Sequence, residues 1–425
     1  MDYKETLEYI HSVNWCFCKP GLERIGAMCE ALGNPQKNLK FIHVAGTNGK
    51  GSFCSMLSSV LKESGYTVGR YTSPYVLRFN ERISINGEDI SDDELCDIIE
   101  RIKPIADNMT DKPTEFELIT AAAFLYFYEK ECDLVVLECG LGGRLDSTNI
   151  IEKPLLSVIT GIALDHTSIL GDTIEKIATE KAGIIKENSP VLWCGKDETA
   201  YKLIKEKAEA MSAHLYCVER EKIKILEFSL NGTVFNYPPF EDIKIKLLGE
   251  YQIDNAVNVL NAVLILRKMG IKISSDAVLN GMKKAVWPSR FEIISESPII
   301  IVDGGHNSEG IVSTVKSVRK YFGDKKLNVL TGVMQDKDYN FMSGQIAKIA
   351  NKVFCIAPNN ARALSAEKYA VVYNKIGIPA RSFESLKEAL GTAVEESNKS
   401  GAPLICLGSL YMYSEIISAK EELKL

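Results

Sequence analysis

No stretch of the chain approaches the roughly 18 consecutive apolar residues that a membrane-spanning helix needs, so a bilayer-crossing role is not expected. The opening MDYKETLEYI is acidic and amphipathic, unlike the basic start and apolar core of a secretion signal, and the chain reads as cytoplasmic. Paired cysteines are missing too. Eleven cysteines are scattered singly apart from Cys16 and Cys18, with no CxxC pair. That spacing argues against a zinc site or a disulfide framework and for structural, reduced thiols. Nor is there an excess of positive charge: 50 Lys and Arg face 56 Asp and Glu, for a net charge of −6. General affinity for nucleic acid or an anionic membrane is therefore not expected, which still leaves room for an acidic substrate in a local basic cleft. Internal repeats at solenoid periods and low-complexity tracts are absent as well.

What remains is ample apolar material, 46% of 425 residues, which is more than one core usually sustains. Runs of strand length alternate with helical patterns: FIHVA, DLVVLE, LLSVIT and PVLWC, then IIIVD, LNVLTGV, KVFCIA and PLICLG. Runs that are apolar on both faces and followed by helices imply parallel strands buried in doubly wound sheets. Between the two series, REKIKILEFSLNGTVFNYPPFEDIKIKLLGE alternates and carries an Asn231-Gly232 turn signal, which reads as short antiparallel strands at the edge of the first domain. Helices are expected from about Asn255 to Met269 and near Ser275 to Ala285, and SDDE at Ser91 to Glu94 predicts a capping box. The expected architecture is α/β with two domains. Residues 1–296 would form a P-loop ATPase-type doubly wound sheet with a small antiparallel edge subdomain, and residues 297–425 a Rossmann-like α/β domain.

The segment FIHVAGTNGKGSFCSML, residues 41 to 57, runs from an apolar strand through a Gly-rich turn into an amphipathic helix. Unpaired N–H groups at a helix start, at the positive end of its dipole, make an anion site. Thr47, Asn48, Gly49, Lys50, Gly51 and Ser52 are thus candidates to hold ATP, with Lys50 as the cation on its terminal phosphates. The spacing departs from the common P-loop, because only Thr47 and Asn48 separate Gly46 from Gly49, and an ordinary strand-to-helix turn would look similar. Glu138 closes the run DLVVLE, where it reads either as a solvated strand end or as a magnesium ligand at the mouth of a sheet. Taken alone, His166 and Lys181 read as a hydrogen-bonded structural histidine and a solvated helix lysine.

These motifs together resemble the folylpolyglutamate synthase/dihydrofolate synthase family, a branch of the Mur-type ATP-dependent amide ligases. The likeness is carried in order along the chain by GLERI, HVAGTNGKGS, TSPYVLRFNERI, FELITAAAF, LECGLGGRLDSTN, ALDHTSILG and EKAGIIK. It continues through WPSRFE, DGGHN, GVMQDKD and RALSAEK. The resemblance implies ligation of L-glutamate to reduced folates, and to dihydropteroate, through an acyl phosphate made with ATP. It also implies two Mg2+ ions, with Ser73 and Glu138 on the first and His166 on the second, and leaves a K+ requirement open. Lys181 would carry a carbamate (N6-carboxylysine), turning a cation into a carboxylate. Thr114, Glu115, Phe116, Glu117, Leu145, Asp146 and Ser147 match the family's pteroate-binding positions. Phe116 would supply an aromatic face and Asp146 an acceptor for ring N–H groups. Asn255, Arg290 and Asp303 match further ATP contacts, and His306 lies near them. On residue chemistry alone, Asn255 is equally a helix cap and Arg290 a surface ion pair. The active site is expected in the cleft between domains of a monomer. Tyr75, Tyr251, Ser289 and Gly305 depart from residues common in the family, which bears on fine substrate and adenine contacts. Alternatives from the loop alone are a P-loop phosphotransferase or another Mur-type ligase such as a muropeptide synthetase.

Overall fold

The computed structural model describes residues 1–12 and 21–425, so Cys16 and Cys18 lie outside the described residues. The nine cysteines within them are free thiols. Among the described residues no helix is long and apolar enough to cross a membrane. The chain divides into two compact units. The first comprises Met1–Lys224, Phe235–Lys244 and Asn255–Ala285; the second comprises Ile225–Val234, Ile245–Asp254 and Val286–Leu425.

In the first unit eight strands form one sheet: β1 Phe41–Ala45, β2 Val68–Tyr71, β3 Ile83–Ile85, β4 Glu88–Asp89, β5 Leu134–Glu138, β6 Leu156–Ile159, β7 Val191–Trp193 and β8 Leu215–Cys217. Their order is β4-β3-β2-β5-β1-β6-β7-β8. The six strands from β2 to β8 in that order are parallel, and β3 and β4 continue the sheet antiparallel. β1, β5 and β6 are buried along their whole length, as their continuous apolar runs require. β2 was not evident from the sequence, because VGRY places a glycine and an arginine where a strand pattern expects apolar residues. The chain leaves β1 toward β2 on one side and later passes to β6 on the other, so the order reverses at β1. Register pairs Val44 with Glu138 and Ala45 with Ile159. The carboxyl ends of three strands thus stand together, where open α/β sheets bind ligands.

The predicted capping box is present: the Ser91 hydroxyl accepts from the Glu94 N–H (3.2 Å), and a Glu94 carboxylate oxygen accepts from the Ser91 N–H (3.1 Å). A second box starts the helix Glu115–Glu129, where Thr114 Oγ1 accepts from the Glu117 N–H (3.1 Å) and Glu117 Oε2 from the Thr114 N–H (2.7 Å). Arg24 Nε donates to the same buried carboxylate oxygen at 2.9 Å. Thr114→Ala is therefore expected to lower stability by about 1 kcal/mol in denaturant unfolding.

Residues 220–250 form the predicted strands as a separate sheet of order β11-β10-β9, with β9 Lys224–Ser229, β10 Gly232–Tyr237 and β11 Phe240–Ile245. The first reversal is made by Leu230 and Asn231, one position earlier than the Asn-Gly signal suggests. The Ser229 hydroxyl takes the Asn231 N–H and donates to the Gly232 carbonyl, both at 3.3 Å, and so ties the turn there.

The second unit is built on β12 Glu292–Glu296, β13 Ile299–Asp303, β14 Leu327–Thr331, β15 Ala350–Cys355, β16 Ala380–Ser382 and β17 Leu404–Leu407. Their order is β12-β13-β17-β14-β15-β16, parallel except for the edge strand β12. Its core gathers Ile301, Val329, Val353, Ile405, Tyr369 and Tyr373 among others. The four predicted apolar runs are its four central parallel strands.

Candidate active site

The loop after β1 delivers the helix Lys50–Glu63 with its first turn at the carboxyl end of the sheet. Gly49 precedes that helix at φ +87°, a left-handed conformation that a side chain would strain. A Cβ there would also stand 2.5 Å from Asn255 Oδ1, so glycine is required twice over. Phe53 N–H bonds back to the Gly49 carbonyl at 2.9 Å. The loop thus meets the helix at the positive end of the helix dipole. β6 steadies the loop from the side. Thr160 Oγ1 donates to the Asn48 carbonyl (2.7 Å), the Thr47 N–H donates to the Gly161 carbonyl (2.9 Å), and the Ala163 N–H donates to Thr47 Oγ1 (3.0 Å). Thr160 was not singled out from the sequence, although a polar residue closing the apolar run LLSVIT was the available sign.

Lys50 Nζ donates to the carbonyls of Gly46 (3.1 Å) and Thr47 (3.3 Å) and lies 3.8 Å from Glu138 Oε1. Glu138 is buried, and its Oε2 accepts from the Ser73 N–H at 3.4 Å. Ser73, Glu138 and Lys50, distant in sequence, thus meet at one point. A buried carboxylate beside a serine suits magnesium, which takes one or two protein oxygens and keeps several waters. Among the described residues no group of three or more His, Cys, Asp and Glu converges on a metal position. His166 is exposed and sits at φ +49°, capping the short helix Thr167–Leu170. Its N–H donates to Oδ1 of Asp165.

Lys181, on the helix Ile174–Ala182, is only 4% exposed, so it is not the solvated lysine that its sequence context suggests. Its Nζ donates to the Gly46 carbonyl at 2.8 Å, the same oxygen that Lys50 uses. Burial, with the neighbouring Lys50 charge second, lowers its pKa to about 7. A large share of Lys181 is therefore a neutral amine at physiological pH, the form that reacts with CO2.

The pteroate-type positions divide between scaffold and surface. Thr114 and Glu117 spend their side chains on the helix cap and the Arg24 pair. Glu115 contacts His11 Nδ1 (3.1 Å) and Arg82 (3.4 Å). The Phe116 ring lies directly over Gly140, where a Cβ would come within 2.5 Å of it; only glycine admits the ring. Asp146 is buried next to that backbone, its Oδ2 accepting from the Leu141 N–H at 2.7 Å. Burial raises its pKa, while hydrogen bonds from Thr148 and backbone N–H groups oppose the shift. Ser147 is buried and Leu145 exposed.

Arg290, Asp303 and His306 belong to the second unit, and Asn255 to the first. Asp303, buried at the end of β13, accepts four hydrogen bonds. Oδ2 takes the Tyr251 hydroxyl (2.7 Å) and the Phe291 N–H (2.9 Å); Oδ1 takes the Thr314 hydroxyl (2.6 Å) and the Gly305 N–H (2.9 Å). Two of the departures, Tyr251 and Gly305, thus act on this one carboxylate. Arg290 donates to the Ser289 carbonyl (3.1 Å), and His306 Nδ1 lies 3.0 Å from the Gly304 carbonyl. Ser289 stands at φ +60°, which explains why glycine suits this position, and its buried hydroxyl has no hydrogen-bond partner among the described residues. Ser289→Gly is expected to raise stability by about 0.5–1 kcal/mol, read from the denaturation midpoint.

Two family models match the chain, the Mur ligase middle domain over residues 44–263 and the Mur ligase, glutamate ligase domain over residues 289–410. The dihydrofolate synthase/folylpolyglutamate synthase of Bacillus subtilis is 38% identical, over 97% of this chain and 98% of that protein. The folylpolyglutamate synthase of Lacticaseibacillus casei is 34% identical, over 98% of each. Among solved structures, Mycobacterium tuberculosis folylpolyglutamate synthase complexed with ADP and AMPPCP superimposes with a TM-score of 0.90 at 28% identity, covering 99% of each chain. Escherichia coli FolC in complex with DHPP and ADP gives 0.88 at 28% identity, covering 100% of this chain and 99% of that one.

Proposed function

This chain belongs to the folylpolyglutamate synthase/dihydrofolate synthase family of Mur ligases, and from that premise we propose how its own residues divide the work. The chain is an ATP-dependent carboxylate–amine ligase that adds L-glutamate to folates. ATP phosphorylates the substrate carboxylate, the amine of glutamate attacks the acyl phosphate, and phosphate leaves as the amide forms. Dihydropteroate and reduced folates are both substrates in this reading, and the working form is a monomer.

One observation carries the residue assignment: Lys50 Nζ bridges the loop carbonyls and the buried Glu138 carboxylate. The residues from Thr47 to Ser52 cradle the phosphates with backbone N–H groups, and Lys50 moves onto the transferring phosphoryl group, where charge builds up. Ser73 and Glu138 would hold one Mg2+ and His166 the second, with carbamylated Lys181 as a further carboxylate able to hold metal. Bound there, magnesium would neutralise phosphate charge and polarise the phosphoryl oxygens. Carbamate formation is balanced simply: the neutral Lys181 amine adds to CO2, one N–H proton leaves, and a carboxylate results. Phe116 stacks on the flat ring of the pteridine substrate, and Asp146 accepts from its N–H groups. Support comes from their common placement against the Gly140–Leu141 backbone. Asn255, Arg290 and Asp303 serve the nucleotide, with Asp303 as a fully bonded anchor for the surrounding backbone and His306 close by in sequence.

The test supplies ATP, Mg2+ and L-glutamate with either dihydropteroate or tetrahydrofolate and looks for the glutamylated product by mass. ADP and phosphate release should depend on glutamate. Addition to neither acceptor overturns the assignment; glutamate-independent ATP turnover would point to the phosphotransferase alternative.

A further inference from the structure

Beneath Asp146 lies a buried polar chain that the ligation reaction has not yet used. His43 is the polar residue in the otherwise apolar strand β1, and it is fully buried. Its Nε2 lies 2.9 Å from Thr148 Oγ1 and 3.0 Å from Cys139 Sγ. Thr148 Oγ1 in turn lies 2.5 Å from Asp146 Oδ1 and 3.5 Å from Cys139 Sγ, and the Thr148 N–H donates to the same Asp146 oxygen at 3.1 Å. Four residues on three segments of chain therefore converge.

The protons in this chain follow from valence. An ionised carboxylate only accepts, and a threonine hydroxyl has one proton to give. At 2.5 Å that proton belongs on the line to Asp146, so Thr148 Oγ1 can only accept from His43, and His43 must carry its proton on Nε2. A neutral ring is required for this, and full burial supplies it, lowering the His43 pKa to about 3. Asp146 Oδ1 is then occupied by two donors from Thr148. Oδ2 accepts from the Leu141 N–H, with the Gly140 N–H a further backbone donor to the carboxylate, and is the oxygen left for a bound ring.

We propose that His43 and Thr148 are positioning residues for the pteridine end of the substrate: a His43 Nε2–H to Thr148 O–H to Asp146 chain holds that carboxylate oriented for ring N–H groups. The inference rests on the reading of Asp146 as the ring acceptor. Its reach is confined to the folate side. ATP is assigned to the Gly-rich loop that follows β1, whereas Thr148 bonds to His43, Cys139 and Asp146, so the ATP requirement should not change when this chain is cut.

Thr148→Val is nearly isosteric and removes only the hydroxyl, whereas Thr148→Ser keeps it. Loss of one hydrogen bond to a charged group predicts that Thr148→Val raises KM for tetrahydrofolate about tenfold, with KM for ATP held within about twofold. Thr148→Ser should restore folate KM to near the parent value. A merely structural threonine would not give this split or this rescue. An unchanged folate KM in Thr148→Val, or a Thr148→Ser variant as impaired as Thr148→Val, overturns the proposal. Asp146→Asn separates the two readings: if it leaves folate KM unchanged, the substrate role of Asp146 fails, and if it raises KM while Thr148→Val does not, only the His43–Thr148 chain fails. Should Thr148→Val not fold, 15N NMR of the His43 ring in the unaltered protein decides: protonation at Nε2 supports the chain, and protonation at Nδ1 overturns it.

Discussion

Lys50→Ala is expected to lower kcat roughly a thousandfold or more with the fold retained, the loss typical of removing a charge that stabilises a transferring phosphoryl group. The ammonium sits where such a charge must be, 3.8 Å from Glu138 and bonded to the Gly46 and Thr47 carbonyls. Gly46 is buried and Thr47 half-buried, and the Gly46 carbonyl retains Lys181, so the loop keeps part of its bonding without Lys50. The melting temperature should therefore shift by only a few degrees. Steady-state ADP release and a thermal melt check the two halves. Wild-type turnover in a folded Lys50→Ala protein would refute the role given to the loop, and an unfolded variant would show that the lysine is chiefly structural.

Lys181→Ala is expected to cost on the order of a hundredfold in kcat, and a small carboxylate such as acetate, filling the space the side chain leaves, should recover part of it. Recovery by acetate distinguishes a carbamate from an ammonium, because acetate replaces the first and opposes the second. The pH dependence has a definite sign. With a pKa near 7, about one Lys181 amine in ten is neutral at pH 6 and about nine in ten at pH 8. At fixed dissolved CO2 the carbamate should therefore build up as pH rises through 7 and be lost below it. Enzyme stripped of CO2 should regain activity on adding bicarbonate, faster at pH 8 than at pH 6. A preparation indifferent to CO2 at both values, with intact mass showing no added carboxyl group under neutral conditions, would remove Lys181 from the catalytic group.

Much of the fold was legible because its long-range order leaves local traces. A strand covered on both faces must be apolar throughout, so FIHVA, DLVVLE and LLSVIT announced themselves, and the parallel pairing of β1 with β5 and β6 is the structure those runs demand. Ser91 and Glu94 wrote their own helix start. β2 and β3 were not legible, since VGRY and ISI are too short and too mixed to stand out.

The candidate site was read differently. Residue types identified the Gly-rich loop and Lys50, and the order of motifs along the chain identified a glutamate ligase. Thr114 and Glu117, matched to pteroate-binding positions by the resemblance, have side chains engaged in a helix cap and in a buried ion pair with Arg24, a contact that no local pattern announced. The strained backbone at Ser289 and the four-bonded carboxylate of Asp303 had no local signature at all.

By itself, then, the sequence determined the class of fold, the Gly-rich strand-to-helix loop and the reaction family, because each rests on spacing within a few residues or on motif order. Tertiary structure alone decided which groups touch. His43 and Cys139 are 96 positions apart in the chain, and Lys181 reaches Gly46 across 135. Those contacts follow from strand order in a parallel sheet, where neighbours are joined by long crossovers that no local pattern encodes. The same burial that makes the contacts changes the chemistry. It turns the lysine at position 181 into an amine that is about half neutral near pH 7 and keeps the histidine at position 43 a neutral ring, because a charge is costly wherever water has been excluded.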